Sequence, residues 1–259
     1  MENQIGNFKS FRDDEIEGQT AQAWFSFGRM NPPTPGHGKL FDRLMSESSD
    51  HHYLFLSQDR FVGGAEFIDR EKSAGEMLGR NKNPLNYEIK SALVSKLFPN
   101  VNLIGTVTWN GENKDLNSAL DIAAWLVEEK SYRDIVLLVG DDRVEPFKYV
   151  EIELQKRYGD EVLFNIESAG KRIPGAEGVE GMSASLVKEY VASKNWDKFR
   201  EVYTTPSTSN LAGTGVLQDT DLFQLWNDIE AGLGPKMKKV KNRWVEDIEE
   251  CTRLNVLSL

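Results

Sequence analysis

The stretch AWFSFGRMNPPTPGHGKLFDRLM, residues 23–45, decides the fold. Residues 23–27 are mostly apolar and read as a buried strand. From His37 to Met45 the pattern turns helical, with Leu40, Phe41 and Leu44 on one face. Gly28, Arg29, Met30, Asn31, Pro32, Pro33, Thr34, Pro35 and Gly36 make the turn between them. Each part of that turn has a physical use. Gly28 and Gly36 let a ligand come close to the backbone, and the prolines stiffen the loop before anything binds. A helix starting at Gly36 or His37 points its free amides and dipole at anions such as phosphate. His37, in the first turn, is placed to aim a ring nitrogen at a phosphate oxygen.

Outward from this turn, strands and helices alternate. HHYLFLS (51–57) reads as the second strand and VNLIGTV (101–107) as the third. The wholly apolar DIVLLVG (134–140) reads as the fourth, buried on both faces, and EVLFNIE (161–167) as the fifth. Helical spacing marks PLNYEIKSALVSKLF (84–98), LNSALDIAAWLVEE (116–129), EPFKYVEIELQKRYG (145–159) and SASLVKEYVASKN (183–195). This order predicts βαβ units and a doubly wound, Rossmann-like α/β domain over residues 21–203 with a five-stranded parallel sheet. Ligands of such sheets bind outside the carboxyl ends of the strands, where the strand order switches. The turn after the first strand lies at such an end. Residues 1–20 read as a tail, with Phe8 and Phe11 as anchors, and 58–83 as a long polar loop. TTPSTSNLAGTG (204–215) reads as a linker. Residues 216–259 read as a C-terminal helical extension, with amphipathic helices in DLFQLWNDIEAGLG (221–234) and KNRWVEDIEECTRLNVL (241–257).

Composition narrows the function classes. The chain has 259 residues, 39% hydrophobic and 28% charged, with a net charge of −10. An acidic balance argues against strong nucleic-acid binding. KMKKVKNR (236–243) is locally basic and reads as a solvated helix start. A single cysteine, Cys251, excludes an internal disulfide framework and a thiolate zinc cluster. No run approaches the roughly 18 apolar residues of a membrane span, and a cytoplasmic location is expected. His51 and His52 point to opposite faces of a strand, which disfavours a shared metal. The absence of a P-loop and of G-x-G-x-x-G argues against kinases, ATPases and dinucleotide dehydrogenases.

GRMNPPTPGH resembles the G-x-F-x-P-x-[HT]-x-G-H signature of the nucleotidylyltransferase superfamily, the cytidylyltransferase-like fold. Thr34, Gly36 and His37 occupy its [HT]-x-G-H positions, and Met30 stands where an aromatic is usual. GMSASLVK (181–188) is similar to the second motif, I-S-[SG]-T-x-x-[RK], which opens a helix after the fifth strand. NPLNYEIK (83–90), VGDDRVEPF (139–147) and AEGVEGMSASLVK (176–188) resemble segments of the versions carried by large tailed bacteriophages. The likeness spans roughly residues 21–200. It departs at Leu186-Val187-Lys188, where those relatives read K-M-R; a lysine lacks the planar fork of the arginine.

The resemblance implies transfer of a nucleotidyl group from a nucleoside triphosphate, ATP ahead of CTP, to a small phosphate-bearing acceptor, with pyrophosphate released. It implies His37, Thr34 and Lys188 as catalytic residues. Gly28, Arg29, Met30, Asn31, Gly36, Gly140, Asp141, Ser183 and Ser185 would bind nucleotide, and Lys82, Asn83 and Arg143 would meet the acceptor. Mg²⁺ would be held mainly through the phosphates, with no dedicated protein metal site. The C-terminal helices are a candidate surface for a second copy or a protein partner. The alternative is a non-catalytic structural or binding protein on the same scaffold, which the altered second motif and the appended helices support.

Overall fold

A computed structural model describes residues 21–47, 51–57, 83–105, 116, 118–170, 181–205, 209–234, 237–240 and 243–246. Five strands, β1 (Gln22–Gly28), β2 (His52–Leu56), β3 (Leu103–Ile104), β4 (Asp134–Val139) and β5 (Leu163–Ser168), form one parallel sheet in the order β3-β2-β1-β4-β5. The helices around it are α1 (Gly38–Glu47), α2 (Tyr87–Leu97), α3 (Ala119–Glu128), α4 (Val144–Tyr158), α5 (Ala184–Ala192), α6 (Trp196–Thr204) and α7 (Asp219–Leu233). This is a doubly wound, Rossmann-like α/β fold with further helices after the last strand of the sheet.

The strands' period of two sorts their side chains into two cores. Trp24, Leu54, Leu56, Val136 and Leu138 face one side, against Phe41 of α1, Leu93 and Val94 of α2, Val187 of α5 and Phe199 of α6. Ala23, Phe25, Tyr53, Phe55, Ile135 and Leu137 face the other, against Ile122 and Leu126 of α3 and Val150 and Leu154 of α4. Burial on both faces explains why the central strands read as continuous apolar runs. Chain order reverses direction across the sheet between β1 and β4. Their register, Gln22 opposite Asp134 and Phe25 opposite Leu137, brings Gly28 level with Gly140 when continued by three residues. The two turns that follow therefore flank the switch point.

The helices and the C-terminal segment depart from the sequence reading. The expected helix over 183–195 ends at Ala192, and a separate helix, α6, follows from an Asn195 cap that accepts from the Lys198 amide. Leu222, Leu225, Trp226, Ile229 and Leu233 of α7 pack into the same core as β1 and α1. The helix expected over 241–257 is not what the described residues form. Met237–Val240 (β6) and Arg243–Glu246 (β7) pair as an antiparallel hairpin instead. Val240, Trp244 and Val245 are residues that favour strands. Among the described residues no helix is long and apolar enough to cross a membrane.

Candidate functional site

The turn after β1 is built from inward-facing polar groups. Thr34 is wholly buried and extended, and it caps the short 3-10 turn Pro35–His37 that leads into α1. The Thr34 amide donates to His37 Nδ1 at 3.0 Å. Nδ1 also lies 3.1 Å from the Thr34 carbonyl and 3.1 Å from its hydroxyl, so it can accept from the amide or donate to the carbonyl according to the tautomer. The local fold thereby fixes the orientation of a half-buried histidine ring at a helix start.

Thr34 also joins the two motifs. Its hydroxyl donates to the carbonyl of Met182, 3.2 Å away and 148 positions along the chain. Met182 immediately precedes Ser183, whose side chain caps α5 by accepting from the Leu186 amide at 3.0 Å. The PPTPGH turn and the start of the MSAS helix therefore meet beside the switch point. Two helix beginnings converge there, α1 through its 3-10 turn and α5 through its cap, and their combined dipoles favour an anion.

Other expected site residues have structural employment. Asn31 clamps Leu85 in both directions, its Nδ2 donating to the Leu85 carbonyl at 2.8 Å and its Oδ1 accepting the Leu85 amide at 3.0 Å. Met30 is buried in the core with φ of 43°. Its side chain is not offered to a ligand. A Cβ built at Gly28 would meet only the Met30 side chain, at 3.5 Å, so the protein's own packing does not demand glycine there. Arg29 is exposed at the end of β1, and Gly36 lies inside the 3-10 turn.

On the other flank Gly140 caps the 3-10 turn Asp141–Arg143. Asp141 is exposed, and the Ser168 hydroxyl at the end of β5 donates to its Oδ1 at 3.1 Å. Arg143 lies 3.5 Å from Asp142 and is solvent-exposed. Ser185 is exposed in the first turn of α5, whereas Lys188, one turn further on, is only 7% exposed. Asn83 is half-buried ahead of α2, and Lys82 falls outside the described residues. Among the described residues no three His, Cys, Asp or Glu side chains gather to hold a metal ion.

Two residues of this region carried no sequence signal that was used. Tyr203 of α6 donates its buried hydroxyl to the Pro33 carbonyl at 2.9 Å, and burial pushes its phenol far above the ordinary value. The spacing of Trp196, Phe199 and Tyr203 would have revealed α6, though not where Tyr203 ends. Lys90 of α2 is fully buried and donates to the Ser57 carbonyl at 2.8 Å, just past β2. No protein-family model matches the chain, and no curated protein matches it.

Proposed function

We propose that the protein is a nucleotidylyltransferase, moving a nucleoside monophosphate from a triphosphate to a small phosphorylated acceptor. The observation that carries this reading is the bond from Thr34 to Met182, which joins the two resemblance-bearing motifs at the sheet's switch point. A triphosphate would lie across the starts of α1 and α5. His37 would donate Nε2–H to a phosphate oxygen, its ring oriented by the contacts of Nδ1 with Thr34. Amides at the start of α5, over Ser183–Ser185, would hold the departing pyrophosphate. The acceptor phosphate attacks the α-phosphorus in line, the P–O bond to pyrophosphate breaks, and no covalent enzyme intermediate is needed. Positioning and charge stabilisation supply the rate. The donor set suits a Mg²⁺ that enters with the phosphates and offsets their charge, with Asp141 the carboxylate at the mouth.

One observation favours a second reading, a nucleotide-binding or structural protein without turnover. Lys188, the counterpart of the family's arginine, is buried, and Leu186-Val187 precede it. A thermal-shift screen of ATP, CTP, GTP and UTP with Mg²⁺, followed by pyrophosphate-release assays, separates the two. A triphosphate at a hundred times its Kd adds about 2.7 kcal/mol of stability, and His37→Ala is expected to reduce that gain. Binding without pyrophosphate release with any phosphorylated acceptor favours the second reading. No shift with any nucleotide removes the first.

A further inference from the structure

Asn31, Pro32, Pro33, Thr34 and Pro35 are all buried, and of these only Asn31 and Thr34 carry an amide hydrogen. Such a run cannot be held by a ladder of backbone donors, so its side chains and carbonyls have to anchor it. Asn31 is clamped to Leu85, and the Thr34 hydroxyl to Met182. A further anchor is the buried hydroxyl of Tyr203 on α6, which donates to the Pro33 carbonyl at 2.9 Å. Tyr203 lies just past the stretch that the resemblance covers.

The packing of α6 does not ask for a tyrosine. The ring lies against Phe199, centroids 5.3 Å apart, and a phenylalanine would supply that contact. What sets the residue apart is its hydroxyl, and burial pushes the phenol so far above its ordinary value that it stays a donor.

The oxygen that Tyr203 holds belongs to the same peptide unit as the Thr34 amide. That unit is planar, so fixing its oxygen fixes the direction of its N–H. The N–H faces His37 Nδ1 at 3.0 Å. A donor on the oxygen also polarises the peptide and strengthens the N–H at its far end. A stronger amide donor favours the neutral ring whose Nδ1 accepts and whose Nε2 carries the proton. The Thr34 carbonyl, 3.1 Å from Nδ1, favours the other form, so the balance between them responds to such a bias.

We propose that Tyr203 is a positioning residue for His37: through the Pro33–Thr34 peptide it holds the imidazole and biases it toward presenting Nε2–H to an anion. The inference rests on the nucleotide reading for its natural ligand, whereas the state of the His37 ring is read without any ligand. Tyr203 does not touch the ligand.

The test is a series of donor strength at position 203 in the full chain. Tyr203→Phe has no donor, the wild type has one, and a difluorotyrosine, fluorinated on both sides of the hydroxyl, has a stronger one. Ring ¹⁵N shifts of neutral His37 are expected to follow that order, with the share of the Nε2–H form smallest in Tyr203→Phe. Val202→Ala removes buried contacts from the same helix but keeps the hydroxyl, and is expected to leave the shifts at their wild-type values. Shifts that stay put in Tyr203→Phe, or that move as far in Val202→Ala, would overturn the proposal. If Tyr203→Phe does not fold, the fluorinated chain decides: a gain in the Nε2–H form supports the proposal and unchanged shifts overturn it.

Calorimetric titration with inorganic pyrophosphate reads the consequence. Tyr203→Phe is expected to bind it about fivefold more weakly, the net size of one hydrogen bond. Added to His37→Ala, it is expected to cost nothing more, because its effect passes through the ring. Fully additive losses would mean that the tyrosine acts elsewhere, and an unchanged affinity in Tyr203→Phe would mean that its bond holds nothing the anion needs. Either result overturns the proposal. A wild type that binds pyrophosphate but no nucleotide removes the nucleotide reading and still tests Tyr203; one that binds neither overturns both.

Discussion

Thr34 is a polar residue with no exposure, and its three polar groups are all engaged around one corner of the site. Its amide faces His37 Nδ1, its hydroxyl reaches Met182, and its carbonyl accepts the His37 amide at 3.0 Å. Replacing Thr34 by Val keeps the shape and deletes only the hydroxyl. The expected cost is about 1–2 kcal/mol, read from urea unfolding. Because Nδ1 faces the Thr34 amide and carbonyl as well as the hydroxyl, the ring ¹⁵N shifts of His37 are expected to be the same in the variant and the wild type. A change in them would show that the hydroxyl, not the backbone, holds the ring. At this scale the sequence was partly legible. Gly, Pro, Thr and His in a strand-to-helix turn mark the candidate site by residue type alone. That Asn31 is spent on Leu85 and that Met30 turns inward could not be read, because both depend on a partner 54 positions away and on a core not yet assembled.

The elements are tied to one another by a few carboxylates, and Asp42 of α1 is the clearest case. Its side chain accepts from the Ser209 hydroxyl at 2.6 Å and from the amides of Asn210, Leu211 and Ala212 at 2.8, 3.0 and 3.0 Å. Burial by itself raises the carboxyl's pKa, but these donors, Ala212 and Ser209 foremost, more than offset it, and the net shift is downward. A carboxyl whose folded pKa is depressed contributes stability above its ordinary value, and that contribution is lost as pH falls through the lowered folded value. Asp221 of α7 follows the same direction, held down first by Lys96, whose Nζ is 2.6 Å away. Amide exchange at 210–212, taken relative to its intrinsic rate at each pH, is therefore expected to stay slow near neutral pH and to quicken in acid. Asp42→Asn should speed it at neutral pH and remove the acid transition for that segment, at a cost of about 2 kcal/mol in charged hydrogen bonds. Exchange that ignores pH and the substitution alike would mean that the segment is held by something else. The stretch over 204–215 reads as a linker because Ser, Thr, Gly and Pro dominate it. Composition reports local propensity, whereas an acceptor on α1 more than 160 positions away holds residues 209–212 in place.

For the whole molecule, what was legible followed from local periodicity. Alternating strands and helices give a parallel sheet, and the apolar runs of β1, β2 and β4 give its buried centre. The β6–β7 hairpin was missed because Trp244 and Val245 suit a helix face as well as a strand, and a short apolar pattern does not choose between them. The place of α7 was hidden for a different reason: amphipathicity says that a face is buried, never against what. The structure answers through a close approach. A Cβ built at Gly232 would come within 1.8 Å of the Pro84 carbonyl oxygen, a backbone atom that cannot swing aside. Pro84 leads directly into Leu85, which Asn31 clamps to the turn of the candidate site. Helix α7 is therefore a buttress, one bonded residue removed from that clamp. Gly232→Ala is expected to force α7 off this contact and to cost about 3 kcal/mol, the upper range for overpacking against an unyielding neighbour. Gly234 has nothing within 4 Å of a built Cβ, but its φ of 63° and ψ of −175° lie where glycine alone is at ease, so Gly234→Ala costs only backbone strain, about 2 kcal/mol. Unfolding midpoints in urea for the two variants test the ordering. Equal losses would mean that α7 and the Pro84 segment give way together without consequence. A larger loss at Gly232, with the chemical shifts of Asn31 and Leu85 disturbed, would show the C-terminal helix bracing the turn after β1.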